Sequence, residues 1–276
     1  MSNITKLYAD KARKHAITGI FNAKSGHPGG SLSIADILAV LYFEKMNIDP
    51  QNPKDPNRDR FVLSKGHCAP ILYGILAERG YFPVEKCATL RDINSNMQGH
   101  PDMKSIPGVD MSTGSLGQGI SAACGMAISG KIDNKDYRVY TILGDGEIEE
   151  GQVWEAAMFA AHYKLDNLTA FLDFNGLQID GNITDVMNST PIDEKFKAFN
   201  WHVIMIDAHN YDEIRNAIEE AKSTKGKPTI IIAKSIKGKG VSFMENQASW
   251  HGNAPNEEQY LQAISEIEAE IAKNEH

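Results

Sequence analysis

A carboxylate and an amide stand at matching points of two neighbouring strands in the sequence. The apolar run 139–143 predicts a buried strand that ends at the GDG segment containing Asp145, and the run 168–172 predicts a second strand that ends just before Asn175. The segment 150–164 between them has the composition of a helix. The strands of such a crossover are parallel, so both side chains are expected at the same carboxyl edge of a sheet.

Two oxygen donors at one sheet edge predict a site for a hard divalent cation. Mg²⁺ takes a few protein oxygens and completes its octahedron with phosphate oxygens and water. Asp145 would supply the charge, Asn175 its side-chain carbonyl, and the loop around Leu177 a main-chain carbonyl. Gly144 and Gly146 would let a diphosphate approach the backbone, beside a helix N-terminus that attracts anions. GDG alone is explained by a tight turn, whereas the matching Asn175 favours the metal site.

Four of the nine histidines also lie in Gly- or Pro-flanked loops at the ends of elements: His27 in SGHPGG, His67 in SKGH, His100 in GHPD and His251 in WHG. An imidazole can donate to or accept from sugar oxygens and can move protons near neutral pH. Each histidine taken alone is an ordinary loop residue. Zinc is the rival use of clustered histidines, but these four have no HxH or HxxxH spacing. The pattern favours a hydroxylated substrate.

The elements that position these residues alternate between helix and strand. Further strands are predicted at 60–63, 201–206 and 229–233, and further helices at 4–24, 34–42, 120–129, 211–223 and 257–273, with another beginning at Pro70. The order predicts an α/β fold with a doubly wound, mainly parallel sheet of about five strands and helices on both faces. Ser33 is the expected N-cap of the helix at 34–42, and 182–191 is expected to be a loop that closes over the ligand.

Composition argues against several other classes of protein. The 276 residues are 42% hydrophobic and 23% charged and contain no long linker, which predicts one globular domain over 1–276. A net charge of −8 disfavours nucleic-acid binding. No apolar run approaches the roughly 18 residues of a membrane helix, and residues 1–10 have no signal-peptide pattern, so a cytoplasmic location is expected. The 3 cysteines have no CxxC spacing, which gives a disulfide framework little support.

Two further segments allow a ligand contact without requiring one. The segment TGSLGQG at 113–119 has the order G-x-x-G-x-G and follows no strand, so a dinucleotide loop is weakly supported, and no GxxxxGK[ST] occurs. Its glycines would let the backbone pass close to a ligand or pack tightly on the sheet. Lys234, Lys237 and Lys239 follow the last strand, either as a solvated loop or with one contact to a phosphate.

Together these segments resemble transketolase, a family of thiamine-diphosphate enzymes. GDG with the later Asn resembles the thiamine-diphosphate motif, and the similarity runs over 25–252, with Ser115 and Asp102 where the family more often has Pro and Glu. The resemblance implies thiamine diphosphate and Mg²⁺ as cofactors, with Asp145, Asn175 and Leu177 on the metal. It implies catalytic roles for His27, His67, His100, His251 and Glu150, the last linking two active sites across a dimer. The implied cofactor contacts are His67, Gly114, Ser115, Leu116, Asp145, Gly146, Glu147, Asn175 and His251.

The resemblance also implies an activity and a partner. A transketolase transfers a two-carbon ketol unit from a ketose phosphate to an aldose phosphate, and the cofactor carries the electron-sink chemistry. The similarity covers only the diphosphate-binding part of the family's chain. A second subunit is therefore expected to supply the pyrimidine-binding and C-terminal domains, in a two-plus-two hetero-oligomer. The alternatives are a deoxyxylulose-phosphate synthase, an α-type subunit of a 2-oxo-acid dehydrogenase, and a non-catalytic cofactor-binding homologue.

Overall fold

Five parallel strands form the central sheet of the computed structural model, which describes residues 2–275. They are β1 (Arg60–Leu63), β2 (Val139–Gly144), β3 (Leu168–Phe174), β6 (His202–Asp207) and β7 (Thr229–Lys234), in the spatial order β1-β2-β3-β7-β6. All four pairings are parallel. The predicted fold class is confirmed, and a two-stranded antiparallel hairpin is added by β4 (Leu177–Gln178) and β5 (Gly181–Asn182).

Helices cover both faces of this sheet. Their bounds are α1 (Ser2–Ala23), α2 (Pro28–Ser33), α3 (Ala35–Val40), α4 (Ala69–Arg79), α5 (Gly119–Ile132), α6 (Gly151–His162), α7 (Ile183–Val186), α8 (Ile192–Ala198), α9 (Tyr211–Ser223) and α10 (Glu257–Asn274). One core joins α1, α3, α4 and α9 to the sheet, and another joins α5, α6 and α8 to its opposite face. Successive strand residues alternate between the cores, as in β1, where Phe61 and Leu63 belong to the first and Val62 to the second.

Two local predictions are wrong. Ser33 is not a helix N-cap: it ends α2, its hydroxyl donates to Asp173, and α3 begins after Ile34 without any side-chain cap. Ser33 belongs to the preceding helix and Ile34 takes the position before α3, so the Ser33 oxygen does not accept from the first amides of α3. The segment 182–191 is not all loop, because it contains the single-turn helix α7.

The register of β2 and β3 places their polar ends side by side. Gly144 pairs with Asp173, so Asp145, which directly follows β2, lies next to the last residues of β3. The loops after β1 and β7 lie at the same edge, because all the strands point the same way. Among residues 2–275, no helix is both long and apolar enough to cross a membrane.

Candidate active site

A cavity of about 320 Å³ opens at the carboxyl edge of the sheet. Its wall brings together segments that are far apart in the sequence, from the loop before α2 to the loop before α10. Most of the sequence-derived candidates line it: His27, His67, His100, Leu116, Asp145, Gly146, Glu147, Asn175, Leu177 and His251. Gly30, Lys65, Gly144, Asp173, Gln178, Ile179 and Lys237 complete the wall.

The oxygen donors of the proposed metal site converge at one turn. Backbone amides of Gly146 and Gly176 donate to the two carboxylate oxygens of Asp145, which joins that carboxylate to the residue after Asn175. The Oδ1 of Asn175 accepts from the Leu177 amide at 3.0 Å. A carboxylate, an amide oxygen and a peptide carbonyl are the hard donors that Mg²⁺ prefers. Among residues 2–275, no group of three His, Cys, Asp or Glu side chains has a metal-site arrangement.

The Lys237 ammonium group tests whether a cation fits there. Its Nζ donates to the Leu177 carbonyl at 3.0 Å and lies 3.1 Å from Nδ1 of His251. Its charge also lowers the pKa of Asp145, although burial and the charge of Asp173 outweigh it and raise that pKa to about 7. The Lys237 ammonium group thus contacts the Leu177 carbonyl, one proposed metal donor, and its charge acts on the carboxylate of Asp145, another. The donor set therefore fits a bound cation.

Three of the four histidines form a triangle on one side of the cavity. The ring centroids of His27 and His67 are 5.1 Å apart, and each lies 5.4 Å from the ring of His251. The Nδ1 of His27 is buried and has no hydrogen-bond partner in the described residues. Tyr73 holds the fourth in place, because its hydroxyl donates to the main-chain carbonyl of His100 at 3.0 Å. The rings leave donors and acceptors free for a ligand.

All four imidazoles are neutral at pH 7. Burial lowers the pKa of His27 to about 4 and that of His251 to about 3, and the charge of Lys237 acts in the same direction on both. Burial, followed by the charge of Lys65, holds the pKa of His67 well below its usual range. Burial and then the charge of Arg91 lower the pKa of His100. A neutral imidazole offers one donor and one acceptor, which suits hydroxyl groups.

Sequence reasoning gave no role to the Lys65–Asp173 ion pair. The Lys65 Nζ lies 2.6 Å from Oδ2 of Asp173, and the side chains are only 2% and 0% exposed. Asp173 ends an apolar strand and Lys65 follows another, directly before the Gly-His pair. A charged residue at the end of a buried strand is a sequence signal for a functional or paired group. Only the fold shows that Lys65 and Asp173 contact each other.

Other candidates lie on or outside the rim of the cavity. Gly114 and Ser115 are exposed and do not line it, although Gly114 has φ +157° and a Cβ there would lie 3.4 Å from the His100 ring. Glu150 is exposed in front of α6, against Gly117. Glu147 lines the cavity, but its carboxylate accepts from Ser64 and from the amides of Gly117 and Gly144. Glu147 therefore ties three segments of the rim together.

Comparison with known proteins assigns the family. The model of the transketolase thiamine-diphosphate-binding domain matches residues 4–270. The chain belongs to the transketolase family. The 6-deoxy-6-sulfo-D-fructose transketolase subunit SqwG of Clostridium sp. (strain MSTE9) is 50% identical over 96% of each chain. A subunit of the apulose-4-phosphate transketolase of Phocaeicola vulgatus is 41% identical, covering 98% of this chain and 96% of its own. The predicted family is confirmed, and these relatives are named as subunits.

Longer transketolases match over part of their length. Human transketolase is 46% identical over 95% of this chain and 42% of its own length. The solved transketolase of Campylobacter jejuni superposes with a TM-score of 0.90 at 32% identity, over 98% of this chain and 45% of the other. This transketolase-family chain thus spans less than half of the solved transketolases it matches.

Proposed function

We propose that this chain is one subunit of a thiamine-diphosphate- and Mg²⁺-dependent transketolase that moves a two-carbon ketol unit from a ketose phosphate to an aldose phosphate. One observation carries the proposal: a single cavity combines hard oxygen donors at one turn with four neutral histidines. The first group suits a metal-bound diphosphate and the second suits the hydroxyl and carbonyl oxygens of a sugar.

In this proposal the residues of the turn hold the cofactor's charged end. Asp145, Asn175 and the Leu177 carbonyl bind Mg²⁺, while Gly146 gives the diphosphate access to the backbone. Lys237 is buried beside them and carries a positive charge suited to a phosphate oxygen. Leu116 and Ile179 line the same cavity with exposed apolar side chains, which suit the face of a ring and would be covered by it. The bound cofactor supplies the electron sink for carbon–carbon cleavage.

The histidines act on the sugar. His27, His67 and His251 form one cluster, with ring centroids 5.1–5.4 Å apart, so one hydroxylated ligand lying against this cluster reaches all three rings. Each neutral ring accepts a proton from a hydroxyl or donates one to a developing alkoxide. His100, beside Gly114, lines the same cavity and contacts the same ligand. Gly114, Ser115, Glu147 and Glu150 complete the proposed cofactor and interface residues.

We further propose a cytoplasmic two-plus-two assembly with a second subunit that carries the pyrimidine-binding and C-terminal domains. Support comes from the relatives of equal length, which are named as subunits, and from the longer transketolases, of which this chain matches less than half. Glu150 is exposed beside the cavity rim and is therefore available to a neighbouring chain. The names of these relatives add sulfofructose and apulose 4-phosphate to the pentose phosphates as candidate substrates.

Co-expression with the product of the neighbouring reading frame tests the proposal. The complex should transfer ketol units only with thiamine diphosphate and Mg²⁺ present, and each chain alone should be inactive. A panel of pentose phosphates, 6-deoxy-6-sulfofructose and apulose 4-phosphate, each with an aldose acceptor, identifies the donor. Cofactor binding without transfer to any acceptor would favour the non-catalytic homologue, and robust activity of this chain alone would contradict the two-subunit assembly.

A further inference from the structure

The carboxylate of Asp173 is surrounded by donors on the floor of the cavity. Lys65 Nζ, Ser33 Oγ and Asn175 Nδ2 all donate to Oδ2, at 2.6, 2.8 and 3.1 Å, and Ser235 Oγ donates to Oδ1. Lys65 also donates to the Gly30 carbonyl at 2.8 Å. Three donors meet Oδ2 and one meets Oδ1, and one of them is the Lys65 ammonium group, so donors of its own chain already compensate this carboxylate.

The contact with Asn175 fixes which end of its amide faces the proposed cation. An ionised carboxylate only accepts hydrogen bonds, so the group that meets Asp173 has to be the NH₂. The amide oxygen then points away, to the side where the Leu177 amide donates to it at 3.0 Å. A flipped amide would set oxygen against carboxylate and turn the NH₂ toward the cation site, where it cannot act as a ligand.

Lys65 keeps this acceptor in place. A buried carboxylate without a partner would be unstable, and the ammonium group both neutralises Asp173 and anchors it to the Gly30 carbonyl. Residue 30 has to be a glycine for this arrangement to fit. A Cβ there would lie 2.9 Å from the Cys68 sulfur and 3.4 Å from Lys65 Nζ. The pair joins the loop after β1 to the end of β3, beneath the cavity.

We propose that Lys65 and Asp173 are positioning residues that orient the Asn175 amide for Mg²⁺. The inference rests on the proposed function, because it takes Asn175 as a metal ligand. A merely structural ion pair would affect folding stability and leave the Mg²⁺ requirement alone. An orienting pair sets the Mg²⁺ affinity itself, and outer-shell partners of metal ligands typically contribute about 10–100-fold.

Two double variants separate these roles. Lys65→Met/Asp173→Asn removes both charges but keeps an acceptor oxygen in reach of the Asn175 NH₂. Lys65→Met/Asp173→Leu removes the same charges and also the acceptor. If this leucine variant does not fold, Lys65→Met/Asp173→Ala is used in its place. Replacing a buried ion pair by apolar side chains of similar volume is often neutral for stability, so the variants differ chiefly in the acceptor.

The measurement is the Mg²⁺ concentration that half-saturates thiamine diphosphate binding to the complex of the full chain and its partner, followed by calorimetry. Thermal unfolding monitors folding separately. The acceptor-free variant should need at least about 10-fold more Mg²⁺ than the asparagine variant. Equal Mg²⁺ requirements in the two folded variants would overturn the inference while leaving the proposed function intact. A wild-type complex that shows no Mg²⁺-dependent binding would overturn the proposed function and this inference with it.

Discussion

Asp145 and Asp173 lie at the same sheet edge with almost no exposure, yet their carboxylates differ in what surrounds them. Burial raises the pKa of Asp173, but the attraction of Lys65 and its several hydrogen bonds outweigh that effect and lower it. Burial raises the pKa of Asp145 to about 7, the charge of Asp173 acts in the same direction, and two backbone amides and Lys237 only partly compensate. One aspartate has its own cation, and the other lacks a close one.

The difference indicates which carboxylate serves the ligand. Asp173 is a satisfied group, so its burial costs little and it holds neighbouring residues in place. Burying the Asp145 carboxylate costs folding free energy, which a divalent cation would offset. The proposed metal site therefore lies where folding alone leaves a charge uncompensated.

Breaking the pair at Asp173 should have the largest effect on stability. Lys65→Met leaves a buried carboxylate without its cation, which should lower the free energy of unfolding by about 3–5 kcal/mol in urea titrations. Lys131→Met is the matched control, because Lys131 contacts Asp166 at 2.7 Å on the surface, where such a pair contributes only about 0–1 kcal/mol. Equal losses in the two variants would show that Asp173 does not depend on Lys65.

The opposite change, at Asp145, should affect ligand binding and leave the chain folded. Asp145→Asn removes the only charged ligand of the proposed metal site, so Mg²⁺-dependent thiamine diphosphate affinity should fall by more than the roughly 100-fold upper range of outer-shell changes. Calorimetric titration of the complex measures it. The free energy of unfolding without divalent cations should not fall, since the variant removes an uncompensated buried charge. Retained affinity would place the metal elsewhere.

The pH dependence of stability should also distinguish the two aspartates. The folded pKa of Asp145, about 7, lies above the ordinary 3.8, so its contribution to stability is largest at low pH and is lost as the pH rises toward 7. Without divalent cations the wild type should lose about 2 kcal/mol relative to Asp145→Asn between pH 5 and 7. Asp173 has the opposite sign, with its contribution lost only as the pH falls below 3.8.

Urea unfolding of both proteins at pH 5, 6 and 7 gives the difference between their free energies of unfolding. The titration of the buried histidines is common to both proteins and cancels in this difference. A wild type and an Asp145→Asn variant with parallel pH profiles would show that Asp145 is not buried as a carboxylate with a raised pKa.

The smallest effect is expected from removing a single donor to Asp173. Ser235→Ala deletes one of the hydrogen bonds to this carboxylate and should lower the free energy of unfolding by about 1.5 kcal/mol. Ser242→Ala is the control, because Ser242 donates to the exposed carboxylate of Glu266 at 2.7 Å and should matter less. Thermal unfolding of the two variants side by side measures the difference, and equal shifts would contradict the crowded surroundings described for Asp173.

Much of the fold follows from local sequence patterns. Strand 60–63 and helix 211–223 have the predicted bounds, and β2 and β3 extend the predicted strands by one and two residues. These segments carry their own signals, in apolar runs that end at a polar residue or a glycine and in the side-chain cap that Asn210 provides for α9. Ser33 was misassigned because the Pro- and Gly-rich segment before it forms the short helix α2, which ends at Ser33.

The residues of the candidate site also divide into those that local sequence predicts and those that it does not. Asp145, Asn175 and the four histidines all line the cavity, and each could be singled out because glycines or prolines flank it at the end of an element. Lys65 and Asp173 could not be paired, since 108 residues separate them and nothing local shows that the strand order brings β1 and β3 to either side of β2. Local sequence patterns predict which groups line the cavity, and tertiary topology decides which groups hold them in place.

The lining of the cavity combines segments more than 200 residues apart, with His27 early in the sequence and the Lys237–His251 segment late in it. During synthesis, the nascent polypeptide exposes the SGHPGG loop long before its counterpart emerges from the ribosome. The Gly238 amide, which donates to the Gly29 carbonyl at 2.9 Å, can join the two segments only once translation has passed that residue. The pocket can therefore be completed only late in synthesis. A stop codon upstream of Lys237 would yield a fragment without a closed pocket.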